Sequence, residues 1–349
     1  MILKVSAEAG GHPFRVPIVA AGPQSIAQAA GLLRAGELVA FPTETVYGLG
    51  ALAFNVEAVA KIFEVKRRPA FDPLIVHILD RSMLEEVTLG LTPLGEKLAA
   101  EFWPGPLTLV LPKAANVSAL VTAGLPTVAV RMPAQPVARA LLTAVGAPIA
   151  APSANPFGGL SPTRAGHVAE GLGDRVGLIL DGGPTEHGIE STVVALEPEP
   201  ELLRPGAVAL EEIERIAGPL LRGGRGSVRA PGQLELHYAP RTPLRIVDPA
   251  TVPKAQRQAA GVVTLREEFG GYAASRVLSS NGNLREAAGR FFDILHELDS
   301  LGLERIDAQA LPEHGLGMAM MDRLRRAAAS RNASGSPSVM PLNTEEGKL

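Results

Sequence analysis

Two stretches hold residues that could do chemistry. In residues 41–50, FPTETVYGLG, the polar triplet Thr43-Glu44-Thr45 follows directly on an apolar run, 38–41. In residues 66–77, KRRPAFDPLIVH, three cations, Lys66, Arg67 and Arg68, close an amphipathic helical pattern; a proline follows, then a strand pattern over 74–78 that contains His77. Cations fixed beside small hydroxyls suit an anionic ligand such as a triphosphate. The plainer reading is a solvated helix end whose exposed Lys and Arg complement the macrodipole and contribute little to stability.

Further motifs follow in order: FWPGPLTLVL (102–111), VAVRMP (128–133), APSAN (151–155), SPT (161–163), ESTVV (190–194), LRPG (203–206) and HYAP (237–240). Together they resemble the threonylcarbamoyl-AMP synthase family in its long, two-domain form; the short, YrdC-type form lacks the C-terminal part. The motifs span residues 25–240, and the remainder agrees in arrangement. The resemblance implies an enzyme that joins L-threonine, bicarbonate and ATP into threonylcarbamoyl-adenylate and releases pyrophosphate. A carbamate on the threonine amine attacks the α-phosphorus, a transfer that rests on positioning and on neutralising phosphate charge.

It also implies roles. Lys66 and Arg68 form the K-x-R pair that grips the phosphates, faced by Ser153 and Asn155, and Arg67 takes the variable middle position. Thr127, Ser161 and Arg204 complete the nucleotide side. Thr43, His77, Arg131 and Ser191 hold threonine, with Arg131 on its carboxylate. Tyr238 reaches back from the linker to the nucleotide. Asp72 stands where the family often has asparagine, and Ala151 where threonine is common. ATP arrives with magnesium. The product serves threonylcarbamoyladenosine modification of tRNA, so a downstream threonylcarbamoyltransferase machinery is the implied partner, with weak or indirect tRNA contact.

The residue types have plainer readings beside these. Arg131 inside a strand pattern needs an anionic partner. His77 in PLIVHI could be a satisfied core histidine. Ser153, Asn155 and Ser161 lie in proline-rich loops where turn-forming residues are routine, Thr43 could cap a turn, and His237-Tyr238 could be surface packing. Two nucleotide motifs are excluded. Gly48-Leu-Gly50-Ala-Leu-Ala53 fits G-x-G-x-x-A, but six residues separate it from the preceding strand and no helix begins within it. GLTPLGEK puts Glu96 and Lys97 where a P-loop requires Lys and Ser or Thr.

Alternating patterns must position these groups. Ile26, Ala29, Ala30 and Leu33 mark one helix face; Val56, Val59, Ala60 and Phe63 mark another, with Asn55 as N-cap and Glu57 in its first turn. Strand patterns recur at 38–41, 107–111, 128–132, 149–151, 177–180 and 192–196, with a helix over 163–173. The expected fold is α/β: a YrdC-like twisted, open, mixed sheet with a basic groove, plus a smaller C-terminal α/β (Rossmann-like) domain. At 349 residues the chain is expected to divide into a catalytic domain (1–220), a Gly-rich linker (221–240), a C-terminal domain (241–330) and a disordered tail (331–349). In the C-terminal part LRIVD, GVVTL and RVLSS read as strands, and 283–301 reads as a long helix.

Composition narrows the classes. Without cysteine there is no disulfide, thiolate nucleophile or cysteine metal site, and the 7 histidines show no metal-ligand spacing, so no protein-built metal site is expected. No apolar run is long enough to span a bilayer and the N-terminus does not read as a signal peptide, which makes cytoplasm the expected compartment. A net charge of −3 and only 4% aromatic residues weigh against an RNA-binding module. A nucleotide-binding regulator without turnover is the other alternative. The hydrogenase-maturation relative, which carries cysteine-rich zinc motifs, does not fit a chain without cysteine.

Overall fold

The computed structural model describes residues 16–222, 230 and 237–329. Among these, eleven strands form one sheet. In chain order they are β1 (Ile18–Ala20), β2 (Val39–Pro42), β3 (Tyr47–Leu52), β4 (Ile75–His77), β5 (Leu107–Pro112) and β6 (Thr127–Arg131). They continue with β7 (Ile149–Ala150), β8 (Leu178–Asp181), β9 (Thr192–Ala195), β10 (Glu201–Arg204) and β11 (Leu221–Arg222). Their spatial order is β1-β8-β2-β3-β7-β4-β6-β5-β9-β10-β11. The sheet is mixed: β2 and β3 are antiparallel, β4 and β6 parallel, and β5 is antiparallel to β6 but parallel to β9. A second, all-parallel sheet contains β12 (Leu244–Ile246), β13 (Ala260–Thr264), β14 (Ala274–Val277) and β15 (Arg305–Ala308) in the order β12-β15-β13-β14. Helices Leu284–Ser300 and Gly315–Ala329 pack on it. This is the expected pair of α/β domains. No helix among the described residues is long and apolar enough to cross a membrane.

The helix that delivers the cations is Val56–Lys66. The Asn55 side chain accepts from the Ala58 N–H at 3.0 Å, as its capping chemistry requires, and Arg67 ends the helix in the left-handed region at φ 53°. Its buried face is not the expected one. Val56 is exposed, and the face consists of Ala58, Val59, Ile62, Phe63 and Lys66. Lys66 falls one turn beyond Ile62 on the apolar stripe, and is therefore carried inward.

β3 was not expected, because YGLGAL lacks the β-branched residues that mark a strand. Its glycines answer to packing instead: a Cβ on Gly50 would lie 2.8 Å from the Phe41 ring, and one on Gly48 3.3 Å from the Ala151 methyl. The sequence also gave no sign of β15 or of helix Gly315–Ala329. The RVLSS strand begins earlier than expected, at Ala274. Residues 221–222, expected as linker, pair with β10. The Gly223–Gly226 hinge segment and the tail expected at 331–349 lie outside the described residues.

The two domains share a core. Val46, Leu160, Ile189, Ala207 and Tyr238 cluster with Phe291 and Phe292 of helix Leu284–Ser300. Arg164 bonds Asp293 at 2.5 and 2.9 Å, and the His167 and His296 rings stack at 3.8 Å. Gly188, at φ +67°, lets its loop meet this helix backbone to backbone: a Cβ there would be 2.3 Å from the Ala288 carbonyl oxygen. Gly188→Ala should thus wedge the domains apart and cost about 1–3 kcal/mol of stability. The urea midpoint checks this; an unchanged midpoint would contradict so close a contact.

Candidate active site

The sheet register assembles a cleft from residues far apart in sequence. Parallel pairing sets His77, the last residue of β4, opposite Arg131, the last of β6. Pairing of β5 with β9 brings Ser191, just before β9, to Thr108, with hydroxyl oxygens 2.8 Å apart. Arg204, ending β10, donates to the Ser191 carbonyl at 2.9 Å and to its hydroxyl at 3.1 Å. LRPG owes its glycine to this contact: a Cβ on Gly206 would sit 2.4 Å from backbone atoms of Ser191 and Thr192. The loop carrying SAN and SPT runs along β3, with the Leu49 N–H on Pro152 and the Tyr47 N–H on Pro162, both 2.8 Å. HYAP lies on that loop in turn, through Ala239 N–H to the Gly158 carbonyl at 2.8 Å, and Tyr238 enters the cleft from a left-handed φ of 64°.

Thr43, Arg68, His77, Arg131, Ser153, Ser191, Arg204 and Tyr238 line this cleft, together with Thr45, Ala151, Glu190 and His237. About 50 Å³ of space remains, enough for a few waters. Lys66 does not line it. The ammonium is buried, donating to the Ser153 carbonyl at 2.5 Å and to the Asn155 carbonyl. Asn155 is buried beneath the loop, its amide donating to the Pro156 and Gly159 carbonyls at 2.9 Å each. Ser161 is buried and donates to Glu190. Thr127 shares the face of β6 with Arg131, but four residues away, about 13 Å along the strand, with Ala129 between them. Thr43 caps its own turn, its hydroxyl 2.6 Å from the Val46 carbonyl.

The exposed helix end expected from the sequence is corrected. Lys66 is 2% exposed and Arg68 7%, and both are tied to protein groups. Arg68 pairs with Asp72 at 2.9 Å and donates to the Pro73 carbonyl at 2.8 Å. The anionic partner that a strand arginine requires is also present: Arg131 lies 2.5 Å from Glu44 and donates to the Thr45 hydroxyl at 2.7 Å. At Asp72 and Glu44 these contacts are close ion pairs rather than aligned hydrogen bonds.

Dryness sets the protonation states. Burial, with Arg68 adding to it, pushes the Lys66 ammonium well below its ordinary value. Burial and then Arg131 push His77 down to about 3, and burial among the cations lowers His237 as well. Burial alone would raise Glu44, yet Arg131 outweighs it and holds the carboxyl low. Asp72 is raised by burial, which Arg68 offsets only in part. Tyr238 is pushed up to about 12 by burial and by Glu190. The result is a water-poor site rich in positive charge, where an anion is worth more than in water.

The sequence reading missed Glu44 and Glu190 as members of the site. Both stood inside the quoted motifs, TET and EST, but a search for cations to bind an anion passes over carboxylates. Arg323, which reaches the site from the last described helix, gave no signal at all.

Fold and cleft together define a two-domain α/β protein that gathers arginines around a small cleft. The family described as telomere recombination (Sua5, YciO and YrdC proteins) matches residues 31–206, and the C-terminal domain of threonylcarbamoyl-AMP synthase matches residues 208–329. A threonylcarbamoyl-AMP synthase of Bacillus subtilis is 46% identical, over 88% of this chain and 93% of its own. That of Pyrococcus abyssi is 44% identical, over 87% and 94%. The crystal structure of P. abyssi Sua5 complexed with L-threonine aligns with a TM-score of 0.83 at 41% identity, over 90% of this chain and 96% of that one. The chain belongs to the threonylcarbamoyl-AMP synthase family, in its two-domain form.

Because Arg131 neutralises a buried carboxylate, Arg131→Ala should cost stability, about 3–5 kcal/mol from the stranded Glu44. Arg131→Ala with Glu44→Gln should recover much of that loss. Chemical unfolding of the three proteins checks this, and an Arg131→Ala variant as stable as the parent would contradict it.

Proposed function

We propose that this chain is a threonylcarbamoyl-AMP synthase, making threonylcarbamoyl-AMP and pyrophosphate from L-threonine, bicarbonate and ATP. The observation that carries this is the convergence of Arg68, Arg131 and Arg204 with the hydroxyl residues Ser153 and Ser191 on one cleft. Identity of 44–46% over most of the chain to synthases of that name supports the same reading. Arg68 and Arg204, with Ser153, take the phosphates, and Lys66 joins them when its ammonium leaves the two carbonyls. Arg131, with Ser191, Thr43 and His77, takes the threonine carboxylate. Asn155 and Ser161 act from beneath the loop, on Lys66 and Glu190. Thr127 does not line the cleft and has no part in this assignment.

Bicarbonate and the threonine amine condense to a carbamate with loss of water. A carbamate oxygen then attacks the α-phosphorus, the bond to the β-phosphate oxygen breaks, and pyrophosphate leaves with the electron pair. The cations neutralise charge that grows on the leaving group and equatorial oxygens, which is where positioned donors accelerate such a transfer. Magnesium would enter on the triphosphate: the carboxylates beside the nucleotide end are already engaged, Asp72 by Arg68 and Glu190 by Arg323. The His237-Tyr238 segment, which lines the cleft, would close over the bound nucleotide and the labile product. The product would pass, in the cytoplasm, to a threonylcarbamoyltransferase machinery that modifies tRNA, with weak or indirect contact between this chain and tRNA.

Incubation with labelled bicarbonate, L-threonine and ATP tests the reading. Pyrophosphate and an acid-labile adenylate should form only with all three; release that persists without threonine or bicarbonate would refute it. Lys66→Ala and Arg68→Ala should each lower turnover by about 10²–10³-fold. Since both cations are buried, stability should fall too, most for Arg68→Ala, which strands Asp72. Wild-type turnover in either variant would contradict its assignment to the phosphates.

A further inference from the structure

The largest side chain fully buried in the described structure is Arg323, on helix Gly315–Ala329 of the C-terminal domain. It belongs to no motif, and it does not line the cleft. Its guanidinium nevertheless touches three segments that do. Nε and Nη2 donate to the Glu190 carboxylate at 3.1 and 3.0 Å, Nη1 donates to the Pro205 carbonyl at 2.5 Å, and the carbon between them sits 5.1 Å from the centre of the Tyr238 ring. Glu190 spends its other oxygen on the Ser161 hydroxyl. One planar fork thus fixes EST, LRPG and HYAP relative to each other, and a fork is the geometry that a single point charge cannot supply.

The chemistry of Glu190 explains why a cation is needed. It is a buried carboxylate in a site meant for an anion, beside Arg204. Without Arg323 it would lose its paired cation and draw toward the cations assigned to the ligand. Tyr238, held in a left-handed backbone with its buried hydroxyl unbonded among the described residues, takes its ring position from the guanidinium beneath it, from His237 at 4.0 Å and from Phe292 at 5.8 Å.

We propose that Arg323 is a positioning residue for the synthase reaction: from the C-terminal domain it compensates Glu190 and supports Tyr238, and so shapes the nucleotide end of the cleft. This rests on the proposed synthase activity and assigns the C-terminal domain a part in it. Of the threonine end, built from Thr43, His77, Arg131 and Ser191, the first three make no contact with Arg323 among the described residues, and only Ser191 adjoins a residue it holds, Glu190.

The test uses the full chain with Arg323→Met, Arg323→Lys, and Arg323→Met combined with Glu190→Gln. Loss of the charged fork should raise the KM for ATP or lower kcat by about tenfold or more. Threonine affinity, measured by calorimetry, should fall by clearly less than ATP affinity, because only Ser191 of its end adjoins a residue that Arg323 holds. Arg323→Lys should fall between the parent and Arg323→Met. The double variant should regain part of the loss, because no carboxylate is left stranded. Parent-like ATP kinetics in folded Arg323→Met would overturn the proposal. So would equal losses of ATP and threonine affinity in all three variants, since a general structural role moves both. If the parent itself forms no threonylcarbamoyl-AMP, the synthase reading fails; an active parent with unaffected variants refutes only the role of Arg323.

Discussion

The burial of positive charge is the constraint on which the rest of this structure depends. Lys66, Arg68, Arg131, Arg204 and Arg323 are each at most 7% exposed. Cations in such a place are tolerable only when every one has an anion or carbonyl against it. Asp72 answers Arg68, Glu44 answers Arg131, Glu190 answers Arg323, and backbone carbonyls answer Lys66 and Arg204. These internal partners hold the arginines in fixed positions around the cleft, so that on the proposed assignment an anionic substrate would meet guanidinium groups already placed. The fold serves that requirement: two strands end together at His77 and Arg131, and Gly206 lets the backbone beside Arg204 close on Ser191.

The second domain is part of the same construction. Its helices cover SPT and EST, its core is continuous with Tyr238, and its backbone meets the first domain at Gly188. The HYAP segment is held between the SAN–SPT loop on one side and Phe292 and Arg323 on the other. A segment gripped from both domains takes its position in the cleft from each of them.

Where local chemistry decides, the sequence was legible. The Asn55 cap, the β-branched runs of β5 and β6 and the stripe of helix Leu284–Ser300 all appear close to where their side chains announce them. β3 escaped because its glycines are there for Phe41 and Ala151, partners that only the folded sheet supplies. The burial of Lys66 escaped because a cation closing an apolar stripe reads as a solvent-exposed end, and the carbonyls that receive it lie 87 and 89 positions away. The motifs named loops that meet at the cleft; which carboxylates balance the cations was not readable, since Arg131 and Glu44, or Arg323 and Glu190, meet only through sheet register and domain docking.

The central claim, that a dry cluster of internally compensated cations becomes an ATP site, is most directly tested by counting protons. Burial pushes the Lys66 ammonium down from its ordinary value in the free protein, and a bound triphosphate would push it back up. Calorimetry of ATP binding at a series of pH values from neutral to alkaline, in buffers of different ionisation enthalpy, measures the proton uptake that follows. The account predicts net proton uptake on binding, and its loss in Lys66→Met. A binding enthalpy that is the same in every buffer would contradict it.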